Sequence, residues 1–236
     1  MPLLIRTWNV FHGNAHPPRR RGYLRVMLEL ASADRPNVLC LQELPAWSLP
    51  KIDDWAGMHS VWAVTRPPFW PGALAAWTTR LHQGLFRSAL AGQANAILVD
   101  RSHEVEDLGH ERISDHGRER RLVQAVRIDG QIVVANLHAS NDARRPEVPG
   151  AEIGRARAFA ESVARPGEAV VIAGDFNVRH PELDGYSAGG DGIDHVLVCH
   201  AAAQDPLIWP VERRRHNGIV LSDHAPVELT LTGYRS

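Results

Sequence analysis

Apolar residues in this chain gather in short runs, and several of those runs end in polar side chains. Val170-Val171-Ile172-Ala173 leads into Gly174-Asp175-Phe176-Asn177. An unbroken apolar run of this length predicts a strand buried on both faces until its last residues. On such a strand Asp175 and Asn177 share a side, about 6.6 Å apart. Taken alone, the pair equally suits a strand end followed by an Asx-type turn. Leu3 to Val10 predicts a first strand ending in Trp8-Asn9. Asn37 to Glu43 predicts a second, with Val38-Leu39-Cys40-Leu41 leading into Gln42-Glu43. Between them, Leu24, Met27, Leu28 and Ala31 recur at helical spacing, so Tyr23 to Arg35 is expected to be a helix that Pro36 stops.

The same reading gives a short helix from Ser48 through Trp55, a strand over Ser60 to Thr65, and helix over Pro71 to Arg87. Asn95 to Asp100 and Glu104 to Ile113 follow as strands. Arg121 to Ile128 and Gln131 to Ala139 flank Asp129-Gly130, a two-residue hairpin turn. If the turn is only those two residues, Arg121 lies opposite His138 on one face. Ile153, Ala156, Ala160 and Val163 mark a helix over Glu152 to Ala164. A glycine-rich loop, Gly185 to Gly192, precedes a strand over Ile193 to Cys199, and Val227 to Thr232 is the last strand. With no repeat, low-complexity tract or linker, residues 1–236 are expected to form a single α/β domain.

Composition adds limits. Apolar content is 44%, charged content 22% and formal net charge −1, so no whole-molecule basic field exists to hold nucleic acid. Basic residues cluster locally instead, at Arg19 to Arg21, Arg118 to Arg121, Arg144-Arg145 and Arg213 to Arg215. No run has the length of a membrane span, and the N-terminus lacks the apolar core of a signal peptide. The two cysteines, Cys40 and Cys199, sit in apolar runs as expected of buried free thiols, which points to a reducing, cytoplasmic setting.

The polar residues at the strand ends carry the candidate chemistry. Glu43 and Asp223 supply hard carboxylate oxygens and Asn9 a neutral one, suiting Mg²⁺ that keeps some of its waters. Asp223-His224 stands between Ser222 and Ala225-Pro226, so the two converge only if the segment is a loop. A histidine beside a carboxylate acts as general base on water, and Asp194 is the candidate orienter of His224. His138 can donate to an anionic oxygen, while Asp175 and Asn177 align nucleophile and substrate. No Ser or Cys nucleophile motif and no P-loop is present. Together these residues suit metal-assisted attack of water on a phosphoester.

Six stretches occur in an order that resembles the endonuclease/exonuclease/phosphatase superfamily, the deoxyribonuclease I-like fold. They are Thr7-Trp8-Asn9-Val10, Leu41-Gln42-Glu43, Asn136-Leu137-His138, Gly174-Asp175-Phe176-Asn177, Ile193-Asp194-His195 and Ser222-Asp223-His224-Ala225-Pro226-Val227. The resemblance implies a four-layer α/β sandwich with two central mixed sheets. It implies Mg²⁺, or Mn²⁺, held chiefly by Glu43 with Asn9 and Asp223 nearby. It makes His224 with Asp194 the water-activating pair, assigns Asp175 and Asn177 to water and phosphate, and has His138 stabilise the phosphate. Asn95 resembles the family's polar residue on a neighbouring strand. Arg118-Glu119 resembles an Arg-Glu pair of deoxyribonucleases, and Arg118 with Arg121 is expected to bind substrate.

Departures from subfamily patterns narrow the substrate. Gly192-Ile193-Asp194-His195 differs from the Pro-Ala-Trp-x-Asp-Arg of inositol 5-phosphatases. The segment from Asn177 to Asp194 lacks the Trp-rich stretch of AP endonucleases, and the cysteine pair of secreted deoxyribonucleases is absent. Basic clusters near the strand ends favour a polyanion, held through phosphate contacts with little sequence choice. Trp47 and Trp70 either stack on unpaired bases or pack beside their prolines. The expectation is a metal-dependent phosphodiesterase that cleaves DNA or RNA as an endonuclease, with a small or lipid phosphoester as the alternative substrate. Nothing in the sequence indicates an oligomeric state.

Overall fold

The computed structural model describes residues 2–81, 86–115, 120–187, 189–190 and 192–234. Its long strands are β1 (Leu3–Asn9), β2 (Val38–Leu44), β3 (His59–Arg66), β4 (Gln93–Val99), β5 (Val105–Arg112), β6 (Leu122–Ile128), β7 (Ile132–His138), β8 (Ala169–Asp175), β9 (Asp194–Cys199) and β10 (Val227–Gly233). The helices are α1 (Leu24–Ser32), α2 (Ile52–Ala56), α3 (Gly72–Leu81), α4 (Phe86–Ala91) and α5 (Glu147–Val163). A 3-10 helix, Ala46–Lys51, links β2 to α2.

Among the described residues, one sheet of seven strands runs β10-β1-β2-β4-β3, with the short strands Ala202–Ala203 and Leu207–Ile208 both on β10. A second, of five strands, runs β9-β8-β7-β6-β5. Pairing is parallel in β1–β2 and β7–β8 and antiparallel in the other long pairs, so both sheets are mixed. The inner faces meet through Leu3, Ile5, Val38, Cys40, Ile97, Val99, Val126, Val134, Val171, Val196 and Leu229. Helices α1 and α2 cover the outer face of the first sheet, and α5 covers that of the second. The result is the expected helix–sheet–sheet–helix sandwich. Each large apolar side chain buried here contributes about 1.5–3 kcal/mol.

The inner faces explain where the site lies. Along β1 the inward residues are Leu3, Ile5, Thr7 and Asn9; along β7 they are Ile132, Val134, Asn136 and His138. On β8 they are Ala169, Val171, Ala173 and Asp175. The antiparallel strands β4 and β9 run the other way and bring Asn95, Gln93 and Asp194 to the same end. Period-two alternation therefore builds an apolar core that turns polar at one edge of the sandwich. No helix among the described residues is long and apolar enough to cross a membrane. Both cysteines are free thiols, Cys40 buried and Cys199 half-buried.

Three expectations are corrected. The Asp129-Gly130 turn forms, with both residues at positive φ and the Gln131 N–H donating to Ile128 O at 3.0 Å. The ladder resumes only at Ile132, paired with Ile128, so Gln131 adds a residue and the register is one beyond that expected. Val123 faces Leu137, and Arg121 precedes the strand instead of opposing His138. Helix α5 starts five residues earlier than Glu152, because Pro149 falls in its first turn, where the N–H groups have no helical acceptor anyway. Strand β8 ends at Asp175, and Asn177 has φ +52°. The two are not side by side on a strand. The Asn177 N–H donates to Asp175 Oδ1 at 3.1 Å, so the Asx turn forms as well as the polar cluster.

Candidate active site

At the polar edge, Asp175 is the hub. Its Oδ2 accepts from Asn9 Nδ2 at 3.0 Å and lies 3.5 Å from His138 Nε2 and 3.8 Å from His224 Nε2. Its backbone is set by Gly174, whose φ of +145° lets β8 pass against Leu137 of β7. Burial first, then the charge of Asp194, pushes Asp175 up to about 7, against the pull of His224 and Asn9. Asn177 is tied across the strand ends through Nδ2, which donates to Ala139 O at 2.9 Å.

His224 reaches this hub from a loop. Its Nδ1 contacts Asp194 Oδ2 at 2.7 Å, fixing that nitrogen as the proton carrier and turning Nε2 toward Asp175. Ser222, at φ +59°, donates Oγ to Asn9 O and accepts the His224 N–H, which folds the loop back onto the end of β1. Trp8 Nε1 donates to His224 O at 3.0 Å. Arg214 Nη1 donates to the carbonyls of Leu221, Ser222 and His224. Burial alone would lower the His224 pKa, but the Asp194 hydrogen bond and the charges of Asp194, Asp175 and Asp223 raise it to about 10.

His138 is the opposite case. Burial first, then the positive charges of Arg121, His224 and His12, hold it well below the usual histidine range. Its Nδ1 lies 3.5 Å from the Gln93 amide and its Nε2 faces Glu43 and Asp175. A donor on one side and carboxylates on the other select a neutral ring with the proton on Nε2. In EDTA-treated protein, NMR titration of the imidazoles is expected to find His224 still protonated near pH 8 and His138 uncharged near pH 6. The opposite order would refute this network.

Glu43 should point away from the inner face, since Gln42 points into it. A bulge corrects this. Leu41 pairs with Ala96 and Leu44 with Ala94, leaving one extra residue, and Glu43 takes φ +56°. Its carboxylate then lies 3.4 Å from His12 Nε2 and 3.9 Å from His138 Nε2. Gln42 is spent inside, donating to Thr7 Oγ1 and Asn136 Oδ1. Asn95 is buried on β4, and neither of its amide atoms has a partner among the described residues.

The structure thus brings together Asn9, Glu43, His138, Asp175, Asp194 and His224. Asp223 stands at the rim, exposed, 3.4 Å from Ser222 Oγ. Arg121 is half-buried, and its charge acts on His138 despite the shifted register. Arg118 lies outside the described residues. The Arg213 to Arg215 cluster does not act as one surface. Arg213 pairs with Asp34 and Glu228 over the Trp209 ring, Arg6 joins the same two carboxylates, and Arg214 braces the His224 loop. All three bonds leave from Nη1, at the tip of a planar guanidinium that a shorter lysine ammonium does not place at the same point. Arg214→Lys is expected to lower kcat by about tenfold at unchanged KM, which steady-state kinetics would check.

Sequence reasoning missed His12 and Gln93. His12 follows Asn9 by three positions in a 3-10 turn, at φ +52°, and its signal was only its closeness to a strand end. Gln93 sits two residues before Asn95 on the same inward face.

Oxygen donors fit a divalent cation. Glu43, Asp175, Asp194 and Asp223 crowd one edge, and burial first, then the charges of Asp194 and Glu43, raises Asp175. Asp175, Asp194 and His224 also offer ligand atoms within 4.8 Å of one another. The 2.7 Å contact between Asp194 and His224 Nδ1 already engages that pair, and Asn9 Oδ1 accepts the Phe11 N–H at 3.0 Å.

The model of the Endonuclease/Exonuclease/phosphatase family matches residues 7–224. Among solved structures, the chain is similar to TDP2 from Caenorhabditis elegans, at 16% identity and TM-score 0.66 over 99% of this chain and 75% of that one. It is similar to a functionally unknown conserved protein from Enterococcus faecalis, at 15% identity and TM-score 0.70 over 98% of this chain and 100% of that one. A mannosyl-6-phosphatase from Bacteroides thetaiotaomicron is also similar, at 13% identity and TM-score 0.66 over 98% and 100%. No curated protein sequence matches the chain.

Proposed function

The chain belongs to the endonuclease/exonuclease/phosphatase family, whose members are phosphoric ester hydrolases, and on that premise we propose that it is a divalent-metal-dependent phosphodiesterase of nucleic acid. The observation that carries this reading is the Asp194–His224–Asp175 line, with Asn9 and His138 converging on the buried Asp175. In it, the deprotonated form of His224, populated as the pH rises toward about 10, takes a proton at Nε2 from the attacking water, and Asp194 holds the ring and balances its charge. Asp175 and Asn177 orient water and phosphate. His138 Nε2–H donates to a phosphate oxygen. Glu43, with Asn9 and Asp223 nearby, would hold Mg²⁺ or Mn²⁺. Such an ion, when bound, supplies Lewis-acid polarisation of the phosphoryl oxygens. Asn95 and Arg121, with Arg118, would contact the substrate, and the exposed Arg19 to Arg21 loop adds sequence-independent phosphate contacts.

Nicking of supercoiled plasmid in Mg²⁺, abolished by EDTA and by His224→Ala, tests this reading. No nicking of DNA and no cleavage of RNA, alongside turnover of a small or lipid phosphoester, would overturn the nucleic-acid substrate and leave the hydrolytic site standing.

A further inference from the structure

His12, which contacts Glu43, also lines a cavity of about 230 Å³. It sits between α1, the 3-10 helix Ala46–Lys51, α2 and α3, and His12, Arg25, Trp47, Lys51, Trp55 and Arg80 are among its lining residues. His12 is therefore a wall shared with the catalytic edge, its Nε2 3.4 Å from Glu43.

The lining is both rigid and cationic. Trp47 donates Nε1–H to Thr79 Oγ1 at 3.1 Å and stands edge-on to Trp55 at 6.2 Å. Thr79 in turn donates to Ala75 O at 2.8 Å, so the tryptophan wall is fixed to α3. Arg25 is spent on Glu29. Lys51 sits over the Trp47 ring at 5.7 Å, and neither it nor Arg80 forms an ion pair among the described residues. No carboxylate belongs to the described lining. Two uncompensated cations beside an aromatic wall select an anion borne on a partly apolar group.

We propose that this cavity is a second phosphate subsite, which holds a phosphate one group removed from the scissile one. Lys51 and Arg80 make the anion contacts, and Trp47 with Trp55 supports the group that carries it. The inference rests on the phosphoesterase reading of the neighbouring edge. It explains why cations that do not reach the catalytic residues are aimed into a cavity one side chain away. The second phosphate could belong to the next link of a polynucleotide or to a doubly phosphorylated small molecule, and the chemistry of the subsite is the same for both.

Calorimetric binding to the full-length His224→Ala chain in Mg²⁺ separates these sources without needing turnover. A nucleoside 3′,5′-bisphosphate is compared with the 5′-monophosphate, and an inositol bisphosphate with an inositol monophosphate. For at least one carrier, the bisphosphate is expected to bind about tenfold more tightly, and the carrier that does so names the source. Adding Lys51→Gln and Arg80→Gln, both at exposed positions, should bring the pair within about twofold. Equal binding of mono- and bisphosphate, no binding of either, or a preference that survives both substitutions overturns the proposal. A bisphosphate preference that Lys51→Gln and Arg80→Gln remove, alongside a wild-type chain that cleaves neither DNA nor RNA, would sink the nucleic-acid reading alone.

Discussion

His224→Ala is expected to fold and to lose about 10²- to 10⁴-fold in kcat on any phosphodiester the wild-type chain cleaves, with KM changed much less. The size follows from how completely this ring is prepared. Asp194 fixes its Nδ1 at 2.7 Å, Trp8 and Arg214 hold its carbonyl, and Ser222 accepts its N–H. Alanine keeps that backbone and removes only the group that can take a proton beside Asp175. Asp194→Asn should cost less than His224→Ala, because the ring stays but loses the charge that stabilises its protonated form. Kinetics on a model diester, with melting curves for both variants, check the order. His224→Ala activity within tenfold of wild type, in a folded protein, would remove His224 from the reaction.

Most of this site was legible because strand ends are legible. Buried strands read as apolar runs, and the residue where each run turns polar marks the edge of the sandwich: Asn9, His138, Asp175 and Asp194 all follow this rule. How Glu43 and Asn177, both named from the sequence, reach the site depends on single backbone torsions that the sequence does not show. Glu43 faces the site only because the chain bulges at φ +56°, and no alternation of residue types announces that. Asn177 leaves its strand at φ +52° and reaches Asp175 through a turn. The hairpin slipped by one residue because Asp129-Gly130 specifies the turn but not whether Gln131 joins the ladder. His12 lies on a 3-10 turn outside every periodic pattern, so its contact with Glu43 is a purely tertiary fact. Arg213 shows the converse error. A basic triplet in sequence looks like one patch, yet Asp34 and Glu228 capture one member and loop carbonyls another.

Gly174→Ala is expected to be the most damaging single-methyl change near the site. Gly174 has φ +145°, a region open to glycine and strained for other residues. An added Cβ would stand 2.0 Å from Leu137 O and 2.9 Å from Leu137 C, both backbone atoms of the parallel partner strand. Neither can yield the way a flexible side chain does, so β8 must separate from β7 at Leu137–Gly174. That pairing is one step from His138–Asp175, the register that brings the neutral imidazole to the hub carboxylate. Strain and lost ladder bonds together should cost about 3 kcal/mol or more. The variant should therefore melt far below wild type, and any folded fraction should be catalytically poor because Asp175 is displaced. The glycine of the Gly-Asp-x-Asn stretch thus positions Asp175 through its missing side chain. A Gly174→Ala chain that melts within a few degrees of wild type would show that β8 and β7 can part here without cost, and the account of how Asp175 is positioned would fail.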